Sequence, residues 1–243
     1  MAVLYGSYWD DIILGSDGPD LAYGFDGDDD IYGYAGDDDI YGGWGYDILA
    51  GGSGDDYLNG SNGPDDLYGG SGEDTLVGGS GFDILFGESG NDDLYGGSGY
   101  DDLYGGSGRD YLSGGSSDDL LVGGSGRDTL SGGTGADIFE FRSGTSGITR
   151  TTADQITDWN PANDWIDMSI RGTLGNYREA RTSVTSVAAA AAEAESLFPS
   201  VGVAHVFLYN SRADTGYLLS DLNIMITGLR LAWSWTMQVG PQT

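Results

Sequence analysis

The chain has 243 residues and a formal net charge of −30, because 39 acidic side chains face nine basic ones, all arginine. The first 140 residues hold 27 aspartates, three glutamates and two arginines, a net charge of −28. This acidic segment repels nucleic acid and anionic membranes, and neither is therefore expected as a partner. A cation is its natural counterpart. Cysteine is absent, which excludes disulfides and thiol chemistry.

The opening residues, MAVLYGSYWDDIILGS, lack the basic and apolar regions of a secretory signal peptide. No stretch of the sequence is long and apolar enough to predict a transmembrane segment. If the protein is exported, we expect its export information to lie elsewhere.

An internal repeat of nine residues runs from Gly6 to Glu140 in fifteen copies, without insertion or deletion. Position one is always glycine, position six always aspartate and position eight always apolar, as in Gly69–Val77, GGSGEDTLV. A flexible glycine- and serine-rich linker is the alternative for such a composition, but a linker does not hold aspartate and an aliphatic residue in fixed phase.

Each fixed position has a physical role. Glycine at positions one, two and four is expected to allow positive φ and tight turns that expose carbonyl oxygens. Aspartate at position six adds a hard carboxylate oxygen, the ligand type that Ca²⁺ takes in sets of six to eight. The triplet around position eight has the period of a short strand with one side chain inward. Two repeats then make one coil of 18 residues, with coils stacked about 4.8 Å apart.

Coils of two repeats place the position-six aspartates along two edges. Odd-numbered repeats contribute Asp11, Asp29, Asp47, Asp65, Asp83, Asp101, Asp119 and Asp137. Even-numbered repeats contribute Asp20, Asp38, Asp56, Asp74, Asp92, Asp110 and Asp128. Adjacent pairs along each edge give about 13 inter-loop sites, whose dications would nearly balance the local charge.

By these repeats the chain resembles the RTX (repeats-in-toxin) family over about 135 of its 243 positions. The resemblance implies an all-β fold, a right-handed parallel β-roll, with calcium ions between equivalent loops of successive coils. It implies aspartate ligands from both loops and carbonyl ligands from positions two and four. In the most regular repeats these carbonyls belong to Gly43, Gly45, Gly52, Gly54, Gly70, Gly72, Gly79, Gly81, Gly97, Gly99, Gly106, Gly108, Gly124, Gly126, Gly133 and Gly135.

The loops are uneven along the chain. The first four repeats carry Ser7, Ser16, Phe25 and Tyr34 at position two, and the first also has Trp9 at position four. We expect weaker or missing ions at this end, where aromatic residues cover the open edge of the roll. Since the core offers one apolar residue in nine, the repeats are expected to be disordered without calcium.

Tyrosine recurs at position nine, on the strand face opposite the inward aliphatic residue. The row could be an exposed track for a polysaccharide or surface, but stacked rings that support neighbouring strands are the favoured interpretation. The tyrosines are Tyr23, Tyr32, Tyr41, Tyr68, Tyr95 and Tyr104.

The period stops after residue 140, so we divide the chain into a roll, 1–140, and a C-terminal capping and secretion region, 141–243, of α+β type. Asp154–Trp159 and Asp164–Asp167 are similar to the segment after the repeats of serralysin-type, type I-secreted proteins. Asp154, Asp158, Asp164 and Asp167 could hold one more ion, but a structural role is favoured.

Further along, residues from about Tyr177 to Phe198 predict a helix that ends at Pro199. Val201–Asn210, Tyr217–Asp221 and Ile224–Thr227 predict strands. Together they are expected to close the end of the roll. The resemblance implies an uncleaved C-terminal signal for a type I exporter and therefore an extracellular location.

Sequence motifs for catalysis are missing. His205 is the single histidine, so a His-Glu-x-x-His zinc site cannot form, and no Gly-x-Ser-x-Gly elbow is present. The leading hypothesis is a non-enzymatic, secreted module that folds on binding calcium. The alternatives are the C-terminal module of a larger protease, lipase, epimerase or toxin, and an adhesin-like module that binds a polysaccharide or surface.

Overall fold

The computed structural model describes residues 1–142, 154–158, 160, 163–169, 177–181, 205–210 and 215–220. Within these residues the chain forms 21 strands and no helix. The strands build two sheets that face each other as a parallel β-solenoid of about eight turns. The repeat period therefore predicted the architecture correctly.

The larger sheet, sheet A, takes every second strand of the roll and then four strands from the C-terminal region. Its strands, in spatial order, are β1 (Val3–Tyr5), β3 (Leu21–Asp26), β5 (Asp39–Trp44), β7 (Tyr57–Asn62), β9 (Thr75–Ser80), β11 (Asp93–Ser98), β13 (Tyr111–Ser116), β15 (Thr129–Thr134), β17 (Gln155–Ile156), β21 (Thr215–Ser220), β20 (His205–Asn210) and β19 (Tyr177–Arg181).

The second sheet, sheet B, takes the alternate strands. In chain order these are β2 (Ile12–Ser16), β4 (Asp30–Ala35), β6 (Ile48–Ser53), β8 (Asp66–Ser71), β10 (Ile84–Ser89), β12 (Asp102–Gly108), β14 (Leu120–Gly126), β16 (Ile138–Arg142) and β18 (Trp165–Ser169).

Register within both sheets is set by the repeat. Each residue of the roll pairs with the residue 18 positions away, so Leu49 lies opposite Leu67 in sheet B and Leu58 opposite Leu76 in sheet A. A slip by one residue would turn every inward side chain to solvent, so the apolar position eight fixes the pairing.

The core is a single column of position-eight side chains from the two sheets. Every member from Leu49 to Leu130 is fully buried, and Ile13, Ala22 and Phe139 extend the column at its two ends. Ile156 of β17 joins the same cluster. One apolar residue per repeat was expected in the core, and each repeat does place its position-eight residue there; repeat thirteen also buries Val122.

Glycine at position one has a different cause from the one expected. No position-one glycine has a positive φ, whereas position two does in every repeat from the third onward. A Cβ at Gly42 would instead clash with Oδ2 of Asp47, the position-six carboxylate of the same loop. The carboxylate fills the space of the missing side chain, so close approach rather than backbone freedom requires glycine there.

Positive φ at position two does not depend on glycine. Phe25, Tyr34, Ser61 and Glu88 occupy this position with φ between 70° and 85°, and Ser117 at position four has φ 90°. The stacked coils impose the turn on these residues despite the cost of a left-handed conformation for a residue with a Cβ.

Aromatic side chains at position nine stack on one another along the outer faces of the sheets. The ring centroids of Tyr68 and Phe86 lie 5.2 Å apart, those of Phe86 and Tyr104 4.8 Å, and those of Tyr23 and Tyr41 5.1 Å, with interplanar angles of at most 13°. Each of these rings therefore has a face covered by a neighbouring ring. This stacking agrees with the interpretation that the rings support neighbouring strands.

Both sheets continue past residue 140. β17 pairs in parallel with β15, and β18 pairs in parallel with β16 from Ile138↔Trp165 to Arg142↔Ser169. β21 then pairs antiparallel with β17 and β20, so sheet A is extended by C-terminal strands.

The helix predicted from about Tyr177 to Phe198 is wrong over its first residues. Tyr177–Arg181 form β19, which pairs in parallel with β20. Pairing with a neighbouring strand outweighs helix propensity, which differs by less than about 1 kcal/mol between ordinary residues. The predicted strands at Val201–Asn210 and Tyr217–Asp221 are confirmed in their larger part by β20 and β21.

Other predicted elements of this region lie outside the described residues. They are the remainder of the predicted helix, 182–198, and the predicted strand Ile224–Thr227. Among the described residues, no helix has the length and hydropathy needed to cross a membrane.

Candidate metal centres

The position-six aspartates lie in two rows, one along each edge of the roll, where the chain turns from one sheet to the other. All of them except Asp11 are buried, with at most 4 % of the side chain exposed. Coiling thus brings together the residues that the sequence assigned to the two edges.

A ladder of hydrogen bonds joins the aspartates of each row. From Asp11 to Asp119, the backbone N–H of each one donates to Oδ1 of the aspartate 18 residues later, as from Asp47 to Asp65 at 2.9 Å and from Asp56 to Asp74 at 2.9 Å. From Asp29 to Asp137 the ladder fixes the orientation of each carboxylate and occupies one of its two oxygens.

The second oxygen of these carboxylates is left without a partner. Twelve consecutive position-six aspartates have a buried Oδ2 that accepts no hydrogen bond. They are Asp29, Asp38, Asp47, Asp56, Asp65, Asp74, Asp83, Asp92, Asp101, Asp110, Asp119 and Asp128. An unpaired, buried polar atom costs about 1–3 kcal/mol, and more when it is charged, so a twelvefold repetition indicates a missing partner.

Burial also disfavours the charged form of these carboxylates. It raises the pKa of Asp47, Asp74 and Asp101 to about 6. It raises the pKa of Asp56 and Asp83 to about 7. It raises the pKa of Asp65 and Asp119 to about 8, and the neighbouring aspartates in the row add to this effect. A cation between the turns would offset both causes.

Backbone carbonyl groups of positions two and four point from one turn of an edge towards the next. The carbonyl oxygens of Phe25 and Gly27 point at the backbone of Gly43 and Gly45 in the next turn of that edge. The same contact recurs up the roll, and every glycine that the sequence assigned as a carbonyl ligand has the positive φ of this turn.

The available ligands fit calcium better than a metal that prefers nitrogen or sulfur. Among the described residues, no group of three or more His, Cys, Asp or Glu side chains converges to hold a metal ion. An ion beside an unpaired Oδ2 would therefore complete its shell with carbonyl oxygens or water, and an all-oxygen shell of mixed ligands suits Ca²⁺.

Position five carries a second ladder, which was missed from the sequence. Here the direction is reversed: the N–H of Asp28 donates to Oδ1 of Asp10 at 3.1 Å, and that of Tyr46 to Oδ1 of Asp28 at 2.8 Å. On the other edge the N–H of Asp55 donates to Oδ1 of Asp37 at 3.0 Å. The frequent acid or amide directly before the invariant aspartate was the available signal.

Two aspartates after the repeats continue the position-six ladder, and a third, Asp158, binds the last repeat at another place. Oδ1 of Asp154 accepts the N–H of Asp128 at 3.0 Å, and Oδ1 of Asp164 accepts that of Asp137 at 3.4 Å. Asp158 accepts the N–H groups of Gly132 and Gly133. These bonds agree with the structural role favoured for the segment; the side chain of Asp167 lies outside the described residues.

Comparison with known families decides what the repeats are. The model of the RTX calcium-binding nonapeptide repeat matches six segments that together run from 5 to 139: 5–40, 26–49, 33–67, 41–76, 68–103 and 104–139. The chain belongs to the RTX calcium-binding repeat family. Its roll is therefore a calcium-binding module, and the RTX segments cover more than half of the sequence. No curated protein matches the chain.

Proposed function

We propose that this RTX roll is a non-catalytic, secreted module whose folding is driven by calcium bound along its two aspartate rows. The observation that carries the proposal is the run of twelve buried Oδ2 atoms without hydrogen-bond partners. Asp11 through Asp137 at position six supply the carboxylates, and the glycines of positions two and four supply the carbonyl oxygens. Bound calcium supplies positive charge and accepts oxygen ligands.

Charge explains why binding and folding are coupled. Folding places a segment of net charge −28 into a compact roll and buries carboxylates side by side, while its core contains one apolar residue per repeat. Without cations, repulsion and desolvation oppose the weak hydrophobic gain. The unfolded, calcium-free chain exposes its carboxylates to water and avoids both penalties.

Such coupling suits a protein that crosses a membrane unfolded. Cytosol holds little free calcium and the exterior far more, so the chain would remain unfolded inside and fold outside. A type I exporter, which reads a C-terminal signal, is the partner proposed for this route. Localisation outside the cell follows from the same reasoning and from the typical secretion of RTX proteins.

Ion counting tests calcium binding on the full chain. Native mass spectrometry after dialysis against calcium should show several calcium ions per chain, retained in an excess of magnesium, which demands a stricter octahedral shell. One ion per chain, or equal occupancy by magnesium, would refute calcium rows as the function of the roll.

A larger secreted protein is the alternative context for the same module. As part of a protease, lipase, epimerase or toxin, the roll would support export and folding of a catalytic domain. The length of the protein in its native host separates the two contexts, because only the larger protein would carry a zinc motif or nucleophile elbow.

A second candidate function is binding of a neutral polysaccharide at one edge. The exposed rings outside the position-nine stacks concentrate on the edge formed by odd-numbered repeats: Trp44 is 65 % exposed, and Tyr46, Phe82 and Tyr100 are also exposed. The opposite edge instead presents charged residues such as Asp37, Asp55 and Arg109. The acidic roll would repel a polyanion.

A glycan array in calcium tests this second function. Binding to neutral glycans should be lost in Trp44→Ala and kept in Tyr68→Ala, whose ring face is already covered by Phe86. Equal binding by both variants would refute it.

A further inference from the structure

The first two loops differ from all later ones in backbone conformation. Position two has a positive φ in every repeat from Phe25 to Gly133, but Ser7 and Ser16, which hold this position in repeats one and two, do not. The N-terminal loops therefore follow another path around their position-six aspartates.

In this other conformation each serine binds the aspartate of its own loop. The N–H and hydroxyl of Ser16 both donate to Oδ2 of Asp20, at 2.7 and 2.8 Å. The N–H and hydroxyl of Ser7 donate to Oδ2 of Asp11, at 2.6 and 2.8 Å. We name this double contact the serine clasp. It occupies the same oxygen that is unpaired from Asp29 to Asp128.

Serine at position two is not sufficient for the clasp. Ser61 holds the same position in repeat seven, but its φ is +79°, and its hydroxyl donates to Oδ1 of Asn59 at 3.0 Å. Oδ2 of Asp65 in that loop remains without a partner. The clasp thus depends on serine together with the backbone conformation of the first turn.

We propose that the serine clasps of Ser7 and Ser16 replace calcium in the first turn of the roll. The inference rests on the proposed calcium rows and refines them, because a carboxylate oxygen that accepts two hydrogen bonds is not available to an ion. The gaps between the loops of Asp11 and Asp29 and of Asp20 and Asp38 hold no ion, which reduces about 13 inter-loop sites to about 11.

The substitution Ser16→Gly tests the clasp. It converts the second loop to Gly-Gly-Asp-Gly-Pro-Asp, residues 15–20, which is the full calcium-loop form. Native mass spectrometry in saturating calcium should count one more ion in S16G than in the unmodified chain. The matched control Ser61→Gly should leave the count unchanged, since the site at Asp65 needs no conversion. An unchanged count in S16G overturns the proposal.

A measurement on the unmodified chain decides the matter if S16G does not fold. In crystals grown with calcium, anomalous difference density should be absent between the loops of Asp20 and Asp38 and present between those of Asp56 and Asp74. Density in both gaps overturns the clasp and leaves the calcium rows intact. Density in neither gap, with no ions counted in solution, overturns the proposed function itself.

Discussion

The N–H of Asp47 donates a 2.9 Å hydrogen bond to Oδ1 of Asp65 in the next turn, while Oδ2 of Asp65 has no partner. From Asp29 to Asp128, one oxygen of each carboxylate thus holds the coils together, and the other is left for a cation. Since the same division recurs along both edges, the aspartate rows serve as scaffold and as ligand at once.

Replacing Asp65 by Asn should weaken calcium binding at the centre of its row. The amide oxygen can still accept the N–H of Asp47, but the charge that an ion would meet is lost. We expect the calcium concentration at the folding midpoint to rise about threefold to tenfold, equivalent to about 0.7–1.4 kcal/mol. The midpoint is measured by circular dichroism during calcium titration.

The control for this variant is Asp93→Asn, which removes the same charge from an exposed position-seven side chain. Its midpoint should stay close to that of the unmodified chain. If both variants shift the midpoint equally, net charge rather than the aspartate row controls binding.

Acid should favour the folded roll when calcium is absent. Burial raises the pKa of Asp56 to about 7 and that of Asp65 and Asp119 to about 8, from 3.8 in the unfolded chain. The folded roll therefore binds more protons than the unfolded chain. The stability that these protonated carboxylates contribute is fully present below pH 3.8 and is lost as pH rises through about 6 to 8. Circular dichroism of the EGTA-treated chain across this range should show strand signal disappearing with rising pH.

Calcium-loaded protein provides the comparison for the pH series. It should keep its strand signal at pH 8, since protons no longer compete with the ions there. A metal-free chain whose strand signal is the same at both ends of the range would contradict the role assigned to the buried carboxylates.

The substitution Leu67→Ala should destabilise the calcium-loaded roll strongly. Leu67 is fully buried in a column where each repeat contributes one apolar side chain, so no neighbour can fill the cavity. We expect a loss of about 2–5 kcal/mol in the free energy of unfolding. Denaturant unfolding in saturating calcium measures it, and Thr75→Ala, on an outward-facing strand position, should change it little.

Asp158→Ala should open the end of β15. The carboxylate of Asp158 accepts the N–H of Gly132 at 3.0 Å and, through its other oxygen, the N–H of Gly133 and the hydroxyl of Ser131, both at 2.7 Å. Loss of these bonds should cost about 1–3 kcal/mol. Hydrogen exchange at the amides of Gly132 and Gly133 should accelerate.

The variant Asp158→Asn separates this role from a charge effect, because it keeps one acceptor oxygen. Its exchange rates should fall between those of the unmodified chain and Asp158→Ala. Unchanged protection in Asp158→Ala would show that the carboxylate does not hold the end of the strand.

The sequence predicted the features that repeat with its period. Asp47, Leu49 and their equivalents in every repeat predicted the aspartate rows and the core. With nine-residue spacing on an 18-residue coil, these side chains can lie only along the two edges and inside the roll. The cause of glycine at position one and the position-five ladder were missed, because the first is a contact within a folded loop and the second a contact between successive turns. Neither is a local preference of the residue. The strand at Tyr177–Arg181 was missed because its partner, His205–Asn210, is distant in the chain.

The serine clasp marks the limit of prediction from residue type. The first loops were expected to be weak because they lack glycine at position two. Phe25 and Tyr34 nevertheless adopt the same positive φ as glycine, and Oδ2 of the aspartate in each of these loops has no partner. What distinguishes Ser7 and Ser16 is the hydrogen bond to the carboxylate, which depends on the conformation of the first turn.

Circular dichroism of the metal-free chain at neutral pH, followed through a calcium titration and reversal with EGTA, tests the coupling of calcium to folding most directly. Twelve buried carboxylate oxygens without partners should keep the metal-free chain unfolded, so strand signal should appear cooperatively with calcium and vanish again with EGTA. Full strand signal before any calcium is added, unaltered by EGTA, would contradict the coupling.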